Sequence, residues 1–180
     1  MDSLKSKGKI IYTIGHSNRS IEEFIDILKH YNISWVIDVR RFPTSRKFPH
    51  FTRENLKTIL RSVGIKYVWL GDSLGGYRGY IRGASSIKCF KAQGYRNYAA
   101  YMQTRDWQIG FEKVVEIANK STATIMCSER IPWRCHRKLI SDALLVRGFT
   151  VIHIIEKDHL IHHKLTKCAR IGNNNTLYYV

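Results

Sequence analysis

The chain has 180 residues, 44% of them apolar and 24% charged. That is enough to bury one ordinary core and too little for two full domains, so a single domain over residues 1–180 is expected; the chain reads as neither a disordered segment nor a disulfide-dependent miniprotein. Thirty Lys and Arg against fourteen Asp and Glu leave a formal charge of +16, an excess that concentrates anions and makes phosphorylated small molecules and nucleic acids the expected partners.

The amino-terminal stretch MDSLKSKGK lacks the apolar run of a secretory leader, and no apolar run approaches the ~20 residues of a bilayer-crossing helix. A cytoplasmic protein without a membrane partner is expected, its four cysteines (Cys89, Cys127, Cys135 and Cys168) held as thiols by cellular reductants.

Five short, nearly continuous apolar runs read as strands buried on both faces: Lys9–Ile14, Ser34–Val39, Lys66–Leu70, Thr122–Met126 and Thr150–Ile155. Helical patterns lie between them. Ile21, Phe24, Ile25 and Leu28 share one face of the first, Leu56, Ile59, Leu60 and Val63 of the second, and Phe111, Val114, Val115 and Ala118 of the third. Ser20 with Glu23 has the spacing of a capping box, Thr52 is placed to cap the second helix, and Gly64 and Gly148 follow helix ends. This alternation predicts a three-layer α/β domain: a mainly parallel five-stranded sheet with helices on both faces and right-handed crossovers. The tail ARIGNNNTLYYV has the form of a small terminal hairpin.

Two connections are too long to be simple links. Arg40 to Phe51, RRFPTSRKFPHF, contains two prolines, and five of its twelve residues are Arg, Lys or His. The second, from about Gly71 to Gly94, interleaves glycines with Tyr77, Arg78, Tyr80 and Arg82. Six Lys or Arg and no acid fall between Ser73 and Arg105, together with Tyr77, Tyr80, Phe90, Tyr95, Tyr98 and Tyr101. Basic residues mixed with aromatics suit phosphate tracking and base stacking, or a solvated surface over a core.

In open α/β sheets ligands bind beyond the carboxyl ends of the strands. Those ends read Gly15-His16-Ser17-Asn18, Asp38-Val39-Arg40-Arg41, Gly71-Asp72 and Cys127-Ser128-Glu129-Arg130. Parallel pairing brings all four to one rim. Cys127, leaving a strand toward Arg130 and Arg134, is the expected nucleophile or redox thiol, with its thiolate favoured; the alternative is a small side chain packed in the core. Glu129 and His16 are the expected proton carriers. Arg40, Arg41, Arg46, Arg134 and Arg137 are the expected anion-binding residues, Arg137 at a helix amino terminus. Asp38 is expected to be buried and paired with an arginine.

The run from Cys127 to Arg134 resembles the phosphate loop of cysteine phosphatases, with the arginine seven residues after the cysteine instead of six. No cofactor is expected; zinc held by Cys127, Cys135 and His136, with His16 as a possible fourth ligand, is the alternative. His159, His162 and His163 read as a solvated surface cluster. Neither a P-loop nor a dinucleotide-binding glycine fingerprint occurs.

Five segments together carry a family resemblance: YTIGHSNRSIEEFIDIL, VIDVRRFPTSRKFPHF, YVWLGDSLGG, MCSERIPWRCHRKLI and HKLTKCARI. In them the chain resembles the domain of unknown function family 488. The resemblance implies a compact α/β domain in an intracellular bacterial or archaeal setting, and its motif positions here are His16, Arg40, Arg41, Arg46, Cys127, Glu129, Cys135 and His136. The expected function is an enzyme acting on a nucleotide, nucleic-acid component or other phosphorylated anion at a cysteine-centred strand-end site, such as a hydrolase or transferase. A non-catalytic nucleic-acid binding module is the alternative.

Overall fold

The computed structural model describes residues 8–180; residues 1–7, most of the polar amino-terminal stretch, lie outside it. Five strands run parallel: β1 (Ile10–Gly15), β2 (Trp35–Asp38), β3 (Lys66–Trp69), β4 (Ala123–Cys127) and β5 (Thr150–Glu156). A sixth, β6 (His159–His162), adds antiparallel to β5, and the order across the sheet is β3-β2-β4-β1-β5-β6. The expected five-stranded sheet is therefore corrected to six. The extra strand is a four-residue edge element with three of its residues exposed, so it shows none of the continuous apolar character that marks the others.

Helices α1 (Ile21–His30) and α2 (Arg53–Ser62) cover one face, and α5 (Arg105–Lys120) and α6 (Arg137–Val146) the other. Alternate strand residues feed the two cores. Ile14, Val36, Met126 and Ile154 meet Phe24, Leu28, Leu56 and Leu60 on one side. Ile11, Ile37, Ile125 and Val151 meet Trp107, Phe111, Leu139 and Leu144 on the other. Each such side chain, fully buried, contributes roughly 1.5–3 kcal/mol, which is why the strands read as unbroken apolar runs.

Local signals place the ends. The Ser20 hydroxyl accepts from the Glu23 N–H at 3.1 Å and starts α1. Thr52 precedes α2, but its hydroxyl donates to the Pro49 carbonyl at 2.8 Å and caps nothing. Gly64 and Gly148 take the left-handed conformation, φ +78° and +87°, that ends α2 and α6.

The segment from Gly71 to Gly94 is less irregular than its glycines suggest. It opens with a short helix, α3 (Gly71–Leu74), and leads into α4 (Gln93–Tyr101). The tail forms the expected hairpin from β7 (Ala169–Ile171) and β8 (Leu177–Tyr179), with Asn174 and Asn175 both at positive φ between them. Cys89 and Cys168 are joined by a disulfide with their Cα atoms 6.1 Å apart, tying the approach to α4 to this hairpin. The expectation of four free thiols is thus corrected to two, Cys127 and Cys135. Among the described residues no helix is long and apolar enough to cross a membrane.

Strand order also locates the site. From β1 the chain crosses by α1 to β2, on the β4 side, whereas from β4 it crosses by α6 to β5, on the opposite side of β1. The crossovers diverge at the carboxyl ends of β1 and β4, which leaves a crevice there.

Candidate functional site

A cavity of about 860 Å³ opens at that crevice. Gly15 ends β1 opposite Cys127 of β4, and the backbone of Glu129 and Arg130 passes so close to Gly15 that any side chain there would collide with it. The glycine lets the loop after β4 fold back across the strand end, and hydrogen bonds from the His16 and Ser17 N–H groups to the Cys127 and Ser128 carbonyls, both 2.9 Å, fasten it.

Six residues singled out in the sequence line this cavity: His16, Arg40, Arg41, Cys127, Glu129 and Arg134. Cys135 and His136 join them. Arg46 and Arg137, both expected to bind anions, do not. Arg46 is exposed and Arg137 is wholly buried, both outside the cavity lining. Lys47, Phe48 and Tyr95 also line the wall; the mixture of basic and aromatic residues in their segments was their only signal in the sequence.

The lining cations differ in how free they are. Arg40 is fully engaged: Nε and Nη2 donate to the two oxygens of buried Asp38 at 2.9 and 2.6 Å, and Nη1 reaches the Phe51 carbonyl at 2.7 Å and His16 Nε2 at 3.1 Å. It works as a strut that fixes the 40–51 loop and satisfies Asp38, which also accepts from the Tyr67 hydroxyl at 2.7 Å. Arg41 is half-exposed, with one donor on the Asp72 carbonyl. Lys47 and Arg134 are exposed and form no ion pair among the described residues. These three, Arg41, Lys47 and Arg134, present positive charge to the cavity.

His16 stacks on Phe51 with ring centroids 4.3 Å apart. Nδ1 donates to the Ser17 carbonyl at 2.9 Å and Nε2 accepts from Arg40. Burial, reinforced by the adjacent guanidinium, pushes its pKa down to about 4. The ring is neutral at pH 7 with both nitrogens occupied, so it positions the loops around it. Glu129 is exposed, and its carboxylate has no hydrogen-bond partner among the described residues.

The two free sulfurs meet at the cavity floor. Cys127 Sγ and Cys135 Sγ are 3.0 Å apart, although seven residues separate them in the chain. Burial, and then the hydrogen bond to Cys135, push the Cys127 thiol well up, which corrects the expectation that its thiolate is favoured. At Cys135 burial also opposes ionisation, but the bond from Cys127, the Arg137 guanidinium and the Arg137 N–H, 3.4 Å from the sulfur, outweigh it and hold this thiol below its ordinary value. Cys135 Sγ also lies 3.5 Å from His136 Nδ1, while His136 Nε2 donates to the Val39 carbonyl at 3.1 Å. That bond fixes the tautomer and leaves Nδ1 facing the sulfur as an acceptor. Arg137 lies behind the pair with Nη2 on the Glu129 and Arg130 carbonyls.

No group of three or more His, Cys, Asp or Glu among the described residues is arranged to hold a metal ion. A 3-10 turn at Pro132–Arg134 brings Cys135 back onto Cys127, so a second sulfur closes the loop.

Neither a curated protein nor a solved structure matches the chain. A family model does, over residues 20–144, which is well over half of the sequence and includes Arg40, Arg41, Cys127, Glu129, Arg134, Cys135 and His136. The chain belongs to the family described as domain of unknown function DUF488.

Proposed function

We propose that the protein is an enzyme acting on a nucleotide or similar phosphorylated, ring-bearing anion held in the strand-end cavity, with Cys135 as its nucleophile. The observation that carries this reading is the composition of the cavity lining. Lys47 and Arg134, which form no ion pair among the described residues, and Arg41, which donates to Asp72, share the cavity with the aromatic rings of Phe42, Phe48, Tyr77 and Tyr95 and with the sulfur pair. Guanidinium and ammonium groups suit phosphate oxygens, aromatic faces suit a base, and 860 Å³ lies within the size range of small-molecule sites.

Cys135 is preferred to Cys127 because its proton has somewhere to go. His136 Nδ1 accepts it within 3.5 Å, oriented through Nε2 by the Val39 carbonyl, an arrangement of nucleophile, base and orienting group. Glu129, at the solvent side of the same cavity, is placed to move a proton to or from water or a leaving group.

An alternative reading has its own support. Tyr77 and Phe42, 90% and 67% exposed with ring centroids 6.3 Å apart, stand at the cavity and offer a stacking platform for a polynucleotide. One experiment separates the two. Under reducing conditions, alkylation of Cys135 by iodoacetamide should slow at least fivefold when AMP saturates the cavity. Protection by an oligonucleotide but not by AMP would favour a nucleic-acid binding module. No protection by either would end both readings.

A further inference from the structure

Arg137 presents an imbalance that the anion-binding reading does not use. Its side chain is wholly buried, and it forms no ion pair with any carboxylate among the described residues. Nη2 serves two backbone carbonyls, while Nε and Nη1 have no hydrogen-bond partner. A guanidinium does not lose its proton in a protein, and a buried charge without a counter-charge costs several kcal/mol. The group of opposite character beside it is the sulfur pair. Cys135 Sγ accepts the Arg137 N–H at 3.4 Å, and Cys127 Sγ lies 3.0 Å from Cys135 Sγ. A disulfide needs about 2.05 Å between sulfurs, so closing this pair takes a movement of roughly 1 Å.

We propose that Cys127 and Cys135 are a thiol–disulfide couple at the cavity floor, oxidised by a small hydroperoxide and reduced by a dithiol, with Cys135 the attacking sulfur and Arg137 its buried counter-ion. The Cys135 thiolate attacks one hydroperoxide oxygen; an S–O bond forms, the O–O bond breaks, and the released alkoxide takes a proton to leave as the alcohol. Cys127 then attacks the Cys135 sulfur; the S–S bond forms, the S–O bond breaks, and hydroxide leaves with the Cys127 proton as water. One hydroperoxide and two thiols thus give one disulfide, one alcohol and one water. A dithiol reverses the change through a mixed disulfide and is itself oxidised.

Geometry supports this order. Both sulfurs line the cavity, so a reagent of hydroperoxide size reaches them from solvent. Oxidation removes the sulfur charge that compensates Arg137, so the reduced form is the favoured one and the disulfide is readily opened. Cys89 and Cys168 do not line this cavity and serve as an internal reference in the same molecule.

The couple does not depend on which anion the cavity binds, and its test is separate from nucleotide protection. The full chain, with Cys127 and Cys135 reduced, is treated with one equivalent of hydrogen peroxide, alkylated, digested and read by mass spectrometry. The expected product is a peptide pair linked Cys127 to Cys135, reopened by dithiothreitol under conditions that leave Cys89–Cys168 intact. In Cys127→Ser, a dimedone-trapped sulfenic acid should accumulate on Cys135. Arg137→Met should slow oxidation at least tenfold, read alongside circular dichroism to establish that the variant is folded. Two alkylatable thiols remaining in the wild-type chain after a tenfold excess of peroxide would overturn the proposal, as would sulfenic acid appearing first on Cys127. Stoichiometric zinc in the purified chain, found by elemental analysis with both sulfurs protected, would overturn it as well.

Discussion

Two imidazole networks in this protein are built from the same parts and end differently. In the first, buried Asp38 accepts from the Tyr67 hydroxyl and from Arg40, whose guanidinium reaches His16. In the other, buried Asp142 accepts from the Tyr179 hydroxyl at 2.8 Å and pairs with His163 at 2.8 Å. His163 Nδ1 meets His153 Nε2 at 2.9 Å, and His153 Nδ1 meets the Thr13 hydroxyl at 2.7 Å. The Asp38 network ends on a ring in the cavity wall; no residue of the Asp142 network lines that cavity. By residue type alone the Asp142 network has the more catalytic makeup, with Asp, two His and a hydroxyl in series. Access decides otherwise: it fastens β6 and the terminal hairpin to the body of the sheet, while the Asp38 network holds the 40–51 loop beside the strand-end cavity.

The sharpest way to break that comparison is to remove the Asp142 carboxylate. Asp142→Ala strands the His163 and Tyr179 donors and the Thr166 N–H, 3.0 Å from the same carboxylate. It should cost roughly 3–5 kcal/mol in urea denaturation while leaving the affinity of the folded protein for a cavity ligand unchanged. A loss below about 1 kcal/mol, or a matching loss of binding, would place the two networks in the same role.

A smaller, shared effect is expected in acid. Burial lowers His16 to about 4 and His153 to about 3, against 6.5 for a free imidazole. The unfolded chain therefore takes up protons below pH 6.5 that the folded chain refuses, so stability is full above that value and falls as pH drops toward 4 and 3. Each group contributes about 1.4 kcal/mol per pH unit inside its window, or roughly 3 to 4 kcal/mol for both between pH 7 and pH 5. His153→Gln should flatten that slope by about half without touching binding, whereas His16→Gln should flatten it and weaken binding together. An unchanged slope in both variants would mean that neither ring is held neutral.

The rim was legible in the sequence because parallel strands have a fixed polarity. Once Lys9–Ile14 and Thr122–Met126 read as buried parallel strands, His16 and Cys127 had to emerge on the same edge, and Asp38 with Arg40 beside them. What the sequence hid depends on how the chain returns on itself. Cys135 reaches Cys127 because a 3-10 turn follows the loop, a pairing that no C-x-x-C spacing announces. His163 reads as part of a surface cluster, yet it is packed against Asp142, 21 residues earlier in the chain. The Cys89–Cys168 bond spans 79 residues. The basic residues were legible as a set but not in their division of labour, since whether an arginine is free or already spent on a carboxylate is a matter of geometry. Arg40 is spent, Arg134 is free, and residue type is the same.

That division is also the most direct test of the central claim, that the cavity between β1 and β4 is an anion site. Calorimetric titration of AMP into the wild-type chain and into a Lys47→Ala, Arg134→Ala double variant measures it. The expected result is saturable one-site binding weakened at least about tenfold in the double variant, with thermal stability unchanged because both side chains are exposed and unpaired. No binding up to millimolar AMP, or equal affinity in both proteins, would contradict it.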